Sequence, residues 1–587
     1  MRRATNVYVI CGFASIGGGL FGFDISSMSG VLGTQAYKQY FGHPVSYSQG
    51  GITASMPAGS LAGSLLSSVL ADRFSRKVAM QVACVLWVLG SAMQCAAQNV
   101  AMLCAGRGIA GLCVGIASSI VPVYQVGRGP GQALRRGMGA DAGRRAEQAE
   151  IAPKEIRGRV VSLQQWAITW GILIQYFIQY GVAESIDGGP SDPAQSTAAF
   201  RIPWGVQAVP ALVLLVALAF CPHSPRWLAS QDRWDEALRV LADLHGGGDT
   251  TDARVRAQYR EIEDALRFER EGEAGAVVAR SAAHHDDASR ATPGSGFSAL
   301  LTRRMLKRVL LGMSIQAWSQ LCGVNIMMYY VVYIMEGADI GSPLLTASIQ
   351  YIINVVLTLP CIIFLDKWGR RPSLLVGSFL MMTWLFISGA LQQYCGQPNT
   401  DQTRTKDNKD ITWIVTGHRV ASRAIVACAY LFVATFAATW GPTSWTYPAE
   451  IFPSRIRAKA VSISTATNWL FNMVLAFAVP PLLWHVNYKT YYIFGCFNAA
   501  ALVHMFVAAH ETKGYTLEEM DDVFDRGVRA WRPGKASRSR LDEIKTQIER
   551  EEKERSNLEL HDGQGTKKHS PSVHELPSPP KVHRAWA

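Results

Sequence analysis

Long hydrophobic runs separated by short polar segments dominate the chain between residues 6 and 509. A helix needs about 20 apolar residues to cross the hydrocarbon core of a bilayer, and about twelve segments of the chain reach that length. They lie near residues 6–28, 51–71, 78–97, 99–124, 160–181, 201–221, 307–335, 343–365, 373–393, 423–447, 459–485 and 490–509. The pattern predicts an all-α integral membrane protein.

Composition supports this class. Hydrophobic residues make up 49% of the 587 residues and charged residues 17%, a balance typical of membrane proteins. The net charge of +12 is concentrated in segments that become cytoplasmic if both termini are cytoplasmic, as the positive-inside rule requires. No nucleic-acid motif accompanies this charge, and the cysteines lack metal-ligand spacing, so we expect no nucleic-acid partner, no metal and no cofactor. The first span follows Met1 to Arg3 without a cleavage site, which favours a retained helix.

Two short motifs each occur twice. The sequence at 72–77, after the second span, corresponds to that at 366–371, after the eighth. The sequence at 150–157, after the fourth span, corresponds to that at 450–457, after the tenth. Such a repeat is typical of secondary transporters whose site lies between two halves.

The repeat predicts the domain organisation. Residues 1–221 and 307–509 are each expected to form six helices, joined by a cytoplasmic segment with short helices at 222–306 and followed by a partly disordered cytoplasmic tail at 510–587. Charged side chains of the repeated motifs are expected to form ion pairs that close the inner mouth in one state, although anchoring the topology would also explain them. They are Asp72, Arg73, Glu150, Arg157, Arg159, Asp366, Arg370, Arg371, Glu450, Arg455 and Arg457.

The first span carries one carboxylate, Asp24. An Asp costs about 2.5–3.5 kcal/mol at the centre of a membrane helix, so it is a candidate functional residue with a partner. With a rise of about 1.5 Å per residue, Arg107 of the fourth span lies at a similar depth in the outer half. We expect the two to pair, either as a structural ion pair or as a proton site.

Amide side chains recur in the second half. In the seventh span, polar side chains at spacings of four or five residues are expected along one helix face: Gln316, Gln320, Asn325 and Tyr329. Three later spans add amides and an indole: Asn354, Trp445, Asn468 and Asn472. An amide offers a donor and an acceptor, as a sugar hydroxyl does, so the set predicts a site for a neutral polyol. For each amide alone, hydrogen bonding between helices is the alternative.

These residues resemble the sugar porters of the major facilitator superfamily, in particular fungal high-affinity monosaccharide carriers. The motifs that carry the resemblance cover both halves: 22–24 with Gly30, 106–107, 157–159, 222–228, Gln320 with Gly323, Asn325, Tyr329 and Tyr330, 366–371, 440–445, 448–457 and 511–514. The resemblance implies the two-half facilitator fold and a monosaccharide substrate, with glucose favoured over xylose, glycerol or another polyol. It also implies sugar-binding roles for Gln320, Asn325, Asn354 and Trp445, with Phe21 and Tyr329 near the site.

The chain departs from the family pattern at several positions. Ser319 replaces the first of two glutamines in the seventh helix, and Ile172 replaces the glutamine of the fifth helix, for which Gln175, one turn further on, is the substitute candidate. Ser75 replaces a glycine and His223 a glutamate. The sugar preference is therefore left open.

Residues 126–148 form an atypical insertion, rich in Gly, Arg and Ala and without a hydrophobic period. The second half has no counterpart, which indicates a translated intron or a lineage-specific insertion.

The sequence thus predicts a plasma-membrane carrier, acting as a monomer, that takes up a neutral monosaccharide by alternating access with a proton as co-substrate. An uncoupled hexose or polyol carrier and a non-transporting sugar sensor are the alternatives. No carboxylate has a nucleophile or metal partner by motif, so we do not expect an enzyme.

Overall fold

The structure is a computed structural model. It describes residues 7–125, 157–186, 192, 194–245, 248–252, 300–337, 343–399, 412–415, 417–453 and 456–513, with short stretches between 255 and 267 and between 515 and 531. The predicted insertion, Glu150, Arg455 and the end of the tail lie outside these ranges.

Helices make up almost all of the described residues. In chain order they are α1 (Val7–Ser29), α2 (Gln35–Tyr40), α3 (Tyr47–Phe74), α4 (Arg76–Cys95), α5 (Val100–Gln125), α6 (Arg157–Ser185), α7 (Ala198–Val206), α8 (Ala208–Phe220), α9 (Pro225–Ser230), α10 (Trp234–His245), α11 (Arg303–Leu321), α12 (Val324–Tyr329), α13 (Val331–Gly337), α14 (Pro343–Trp368), α15 (Arg370–Cys395), α16 (Arg419–Ala438), α17 (Trp440–Ile451), α18 (Arg457–Val486) and α19 (Lys489–Ala508). Two short antiparallel strands, β1 (Gln397–Pro398) and β2 (Trp413–Ile414), lie between α15 and α16.

Nine segments of the described chain are long and apolar enough to cross a membrane, and each coincides with a predicted span. The other three predicted spans correspond to α1, α6 and the segment from α11 to α13. These three contain the carboxylate, the glutamines of α6 and the polar residues of the seventh span.

The seventh span is not one helix, so the prediction of a continuous polar face there is wrong. The chain breaks at Gly323, which has φ +100°, and again at Tyr330, which has φ −115°. A positive φ is readily adopted only by glycine, and a Cβ at this position would also lie 3.3 Å from Phe494. The polar residues of the span consequently project from two helices, α11 and α12.

Helices α1 and α6 approach each other closely enough for their backbones to touch. A Cβ added to Gly22 would lie 2.0 Å from the carbonyl oxygen of Ile168, and one added to Gly171 would lie 2.3 Å from that of Gly19. Only glycine permits this contact, as in other closely packed membrane helices. The contact fixes the part of α1 that carries Asp24.

Helices from the first 220 residues pack against helices that follow residue 303. Helix α3 lies along α18, α6 contacts α14 and α17, and α1 contacts α12. Phe21 on α1 is buried at this boundary. The candidate site residues lie along the same boundary.

Candidate functional site

Asp24 and Arg107 face each other in the protein interior. Arg107 Nη2 lies 3.6 Å from Asp24 Oδ2, and both side chains are 0% exposed. Arg107 also donates from Nε to the carbonyl oxygen of Ile52 at 3.2 Å and from Nη1 to Ser27 Oγ at 3.4 Å. Neither Asp24 oxygen accepts a hydrogen bond from the described residues. The carboxylate is therefore held by charge attraction alone, while the arginine is anchored to α3 and α1.

An amide cluster connects α11, α12 and α18. Gln320 Nε2 donates to Asn468 Oδ1 at 2.6 Å, while Gln320 Oε1 accepts from Asn325 Nδ2 at 3.0 Å and from Asn472 Nδ2 at 3.1 Å. Tyr329 OH donates to Asn472 Oδ1 at 3.4 Å. All five side chains are buried. The break at Gly323 brings Asn325 back to Gln320, so the cluster forms although the helix is interrupted.

Three other predicted residues lie outside these bonds. Gln316 Nε2 donates to the carbonyl oxygen of Ser444 at 3.0 Å. Asn354 is buried, and its Oδ1 has no hydrogen-bond donor among the described residues. Gln175 Nε2 donates to the carbonyl oxygen of Pro203 at 3.0 Å, and no described contact connects it to the amide cluster.

Ser319, the residue that replaces the family's glutamine, joins the cluster weakly. Its Oγ donates to the carbonyl oxygen of Gln316 at 2.8 Å and lies 3.4 Å from Asn468 Oδ1. The Ser319 hydroxyl therefore lies at the edge of the amide cluster.

Aromatic rings surround the boundary between the two groups of helices. The ring of Phe21 lies 4.7 Å from Trp469 and 6.5 Å from Trp445, both edge to face. Trp469 Nε1 donates to Ser118 Oγ on α5 at 3.1 Å. Trp469 was not predicted from the sequence, because no motif or polar spacing marks it.

Several buried polar atoms of the predicted spans lack a hydrogen-bond partner among the described residues. Asn468 Nδ2 belongs to the cluster and Gln316 Oε1 to the same helix as Gln320, whereas Asn354 Oδ1 and both amide atoms of Gln164 belong to α14 and α6. An unsatisfied buried polar atom is costly, about 1–3 kcal/mol each, so such atoms require a functional explanation. Donors and acceptors of this kind match the hydroxyls of a polyol.

A charged network lies at the ends of α14, α15 and α17. Arg370 Nη2 contacts Asp366 Oδ1 at 2.8 Å and Glu450 Oε1 at 2.7 Å. Thr512 Oγ1 donates to Glu450 Oε2 at 2.6 Å. Three predicted members of the network are thus brought together in the second half.

The remaining predicted charges have different positions. Arg371 Nη2 donates to the carbonyl oxygen of Phe506, and Arg457 donates to that of Phe452. Arg73 is exposed and lies over the ring of Phe74. The backbones of Asp72, Arg157 and Arg159 are helical, but their side chains are outside the described part, as are Glu150 and Arg455.

The ends of the repeated motifs have matching contacts. Lys77 Nζ donates to the carbonyl oxygens of Ala219, near the end of α8, and of Cys221, directly after it. Arg371 makes the corresponding bond to Phe506 near the end of α19. The internal sequence repeat is therefore also a repeat of contacts.

Buried polar groups between bundled apolar helices are typical of membrane transporters with an all-α fold. The family described as "Sugar (and other) transporter" matches residues 10–131 and 147–524, and the chain belongs to this family. The residues between the two matched stretches, 132–146, fall within the predicted insertion.

Relatives and solved structures agree with this assignment. "MFS glucose transporter mfs1" of Aspergillus flavus is 56% identical over 549 residues, 93% of this chain and 95% of the relative. "High-affinity glucose transporter" of Kluyveromyces lactis is 41% identical over 534 residues, 90% of this chain and 86% of the relative. The structure of the proton:xylose symporter XylE bound to 6-bromo-6-deoxy-D-glucose is 25% identical, with a TM-score of 0.64, and covers 88% of this chain and 99% of its own. The prediction of a major facilitator fold with about twelve helices is confirmed.

Proposed function

We propose that the protein takes up a neutral monosaccharide, with glucose favoured, across the plasma membrane by alternating access and proton symport. The observation that carries the proposal is a buried amide cluster beside a buried carboxylate and guanidinium. The two groups are linked through α12, because the hydroxyl of Tyr329 bonds Asn472 and α12 contacts α1, the helix of Asp24. The names of the relatives from Aspergillus flavus and Kluyveromyces lactis support glucose as substrate.

The sugar is proposed to bind at the amide cluster. Its hydroxyls would pair with Asn468 Nδ2, Gln316 Oε1 and Asn354 Oδ1, which have no partner among the described residues. Trp445, which is 7% exposed, supplies an apolar face for the C–H groups of the ring and an indole N–H. A site built of amides, without a net charge at the cluster, favours a neutral substrate.

Asp24 is the proposed proton site. Removal from water favours the neutral carboxyl, whereas Arg107 at 3.6 Å favours the carboxylate, so a small movement of either side chain changes proton affinity. Sugar binding that shifts α1 or Tyr329 changes this balance, and proton binding changes sugar affinity by the same factor. This reciprocity is the basis of symport. The absence of any donor to Asp24 among the described residues supports a carboxyl that exchanges its proton during transport.

We further propose that residues 1–221 and 307–509 are the two halves that rock about the site, with both termini cytoplasmic. The Asp366, Arg370 and Glu450 contacts then belong to an inner lock that breaks when the site opens to the cytoplasm. The matching bonds of Lys77 and Arg371 support equivalent roles for the two halves. The protein is proposed to act as a monomer, since one chain supplies both sides of the site.

Uptake by cells that lack their own sugar transporters tests the proposal. Labelled D-glucose, D-xylose and glycerol are offered separately while external pH is recorded. The proposal predicts saturable D-glucose uptake with alkalinisation of the medium. Uptake without a pH change would indicate an uncoupled carrier, and expression at the surface without uptake of any of the three would contradict transport.

A further inference from the structure

Tyr351 is a fully buried tyrosine of α14 whose hydroxyl contacts two other helices. The hydroxyl donates to the backbone carbonyl oxygen of Met328 in α12 at 3.0 Å and lies 3.1 Å from the hydroxyl oxygen of Ser29 in α1. Ser29 is itself fully buried. One hydroxyl group therefore joins the last residue of α1 to the last turn of α12.

Gln350, the residue before Tyr351, bonds the same part of α12. Gln350 Nε2 donates to the carbonyl oxygen of Met327 at 2.5 Å, so two successive side chains of α14 bond two successive carbonyls. Helix α12 has only six residues between the breaks at Gly323 and Tyr330. Helices this short are not stable by themselves, so contacts with neighbouring helices determine where α12 lies.

The two residues that the Tyr351 hydroxyl contacts, Ser29 and Met328, are close in sequence to residues of the proposed site. Ser29 follows Asp24 in α1 by little more than one helical turn. Met328 precedes Tyr329, whose hydroxyl bonds Asn472 in the amide cluster. Tyr351 is thus the connection, through one side chain, between the helix of the carboxylate and the helix of the sugar-binding tyrosine.

The ring of Tyr351 is held in place from a third helix. Its centroid lies 4.7 Å from that of Tyr176 on α6, and the hydroxyl of Tyr176 donates to the carbonyl oxygen of Leu344 at the start of α14. The Tyr351 hydroxyl therefore has little freedom to move unless α1 or α12 moves.

We propose that Tyr351 is a positioning residue that makes α1 and α12 move together. When α12 closes on bound sugar, the Met328 carbonyl, the Tyr351 hydroxyl and Ser29 transmit the movement to the helix that carries Asp24. The inference rests on the proposed function and adds to it a residue that contacts neither sugar nor proton.

Hydrogen exchange of the purified full-length protein in lipid nanodiscs, with and without D-glucose, tests this link. Tyr351→Phe and Ser29→Ala each remove one side of the contact and little volume. Each is expected to accelerate exchange about three- to tenfold in both 25–33 and 324–330, the factor that one lost buried hydrogen bond produces. The double variant is expected to match Tyr351→Phe, because that single variant already lacks both contacts of the hydroxyl.

Two further variants make the outcome specific. Tyr430→Phe removes a hydroxyl that also bonds α14, at the Thr346 carbonyl, and should leave both segments unchanged. Gln350→Leu should accelerate 324–330 alone. The proposal is overturned if Tyr351→Phe behaves like Gln350→Leu, or if the effects of Tyr351→Phe and Ser29→Ala add.

The additivity test is made without sugar, so its result does not depend on the substrate. A wild-type protein whose exchange does not respond to D-glucose would instead contradict the proposed substrate. Failure of the link and failure of the proposed function are therefore seen in different measurements.

Discussion

At the scale of single residues, Gln320 has the central position in the amide cluster. Its nitrogen bonds Asn468, and its oxygen accepts from both Asn325 and Asn472. Loss of this side chain would leave Asn468, Asn325 and Asn472 without one hydrogen-bond partner each. A bound sugar would also lose one donor and one acceptor. Truncation of Gln320 is therefore expected to weaken sugar binding before it affects other properties.

Gln320→Ala or Asn325→Ala is expected to weaken apparent sugar affinity by about 1–3 kcal/mol, because buried hydroxyls of the sugar are left unpaired. Initial uptake rates over a range of D-glucose concentrations, normalised to surface expression, give the apparent affinity. Gln195→Ala is the matched control, since Gln195 is a buried amide that bonds backbone groups of Ala183 and Ala36. Unchanged affinity in both cluster variants would place the sugar elsewhere.

Two departures from the family pattern turn out to contact each other. Ser75, in the place of a glycine, keeps a positive φ of 78°, and its Oγ lies 3.1 Å from His223 Nδ1. His223 is the residue in the place of a glutamate, and its ring stacks on Trp227. The two unusual residues therefore form one local contact, which the sequence alone does not reveal because they are far apart in the chain.

At the scale of helices, the N-terminus of α15 is capped by a residue from beyond α19. Glu511 Oε1 accepts from the backbone nitrogen of Arg370 at 2.9 Å, and Oε2 accepts from that of Arg371 at 3.1 Å. A carboxylate at a helix N-terminus satisfies free N–H groups and opposes the helix dipole. The segment after α19 thereby holds the start of α15.

Glu511→Ala is expected to reduce stability by about 0.5–2 kcal/mol, the usual cost of losing an N-terminal cap. The melting temperature of the purified protein in detergent measures the change. Glu184→Ala removes an exposed carboxylate at the end of α6 and serves as the control. Equal melting temperatures for both variants and the wild type would show that the cap contributes nothing.

The predicted insertion is tested by removing it. We propose that residues 126–148 do not contribute to transport, because they are rich in Gly, Arg and Ala, have no hydrophobic period and have no counterpart in the second half. Lengthening a loop alone costs little, about 0.6 kcal/mol for each doubling. In the sequence, however, the insertion separates the fourth span from Glu150, the residue that corresponds to Glu450 in the repeat. The family match, which omits 132–146, supports this proposal.

Joining Gln125 directly to Ala149 is therefore expected to give equal or higher D-glucose uptake at equal surface expression. Sequencing of the mature transcript decides whether the codons are an intron. Loss of folding or uptake in the deletion variant would show that the segment has a role.

At the scale of the whole molecule, hydrophobic length and the internal repeat were sufficient to predict the fold and the Asp24–Arg107 contact. Both predictions use the spacing of apolar residues and the position of each residue along its span, and these can be read directly from a sequence. The break at Gly323 was not predicted, because it depends on backbone conformation and on the neighbouring Phe494. The different partner of Gln175 and the contacts of Tyr351 also depend on how helices rotate against each other.

Tyr351 nevertheless had a sequence signal that was not used. It precedes Asn354 by three residues and so shares a helix face with a predicted site residue. Neighbours of a predicted polar residue on its helical face are therefore good candidates for a second set of site contacts.

The central claim is that a titratable Asp24 beside the amide cluster couples the proton gradient to sugar movement. Asp24→Asn keeps the shape of the side chain and removes the titratable charge. The measurement is labelled D-glucose accumulation in proteoliposomes with an imposed pH gradient, compared with equilibrium exchange in the same preparation. We expect the variant to lose uphill accumulation while exchange continues at a reduced or similar rate. Unchanged uphill accumulation by Asp24→Asn would contradict the assignment of Asp24 as the proton site.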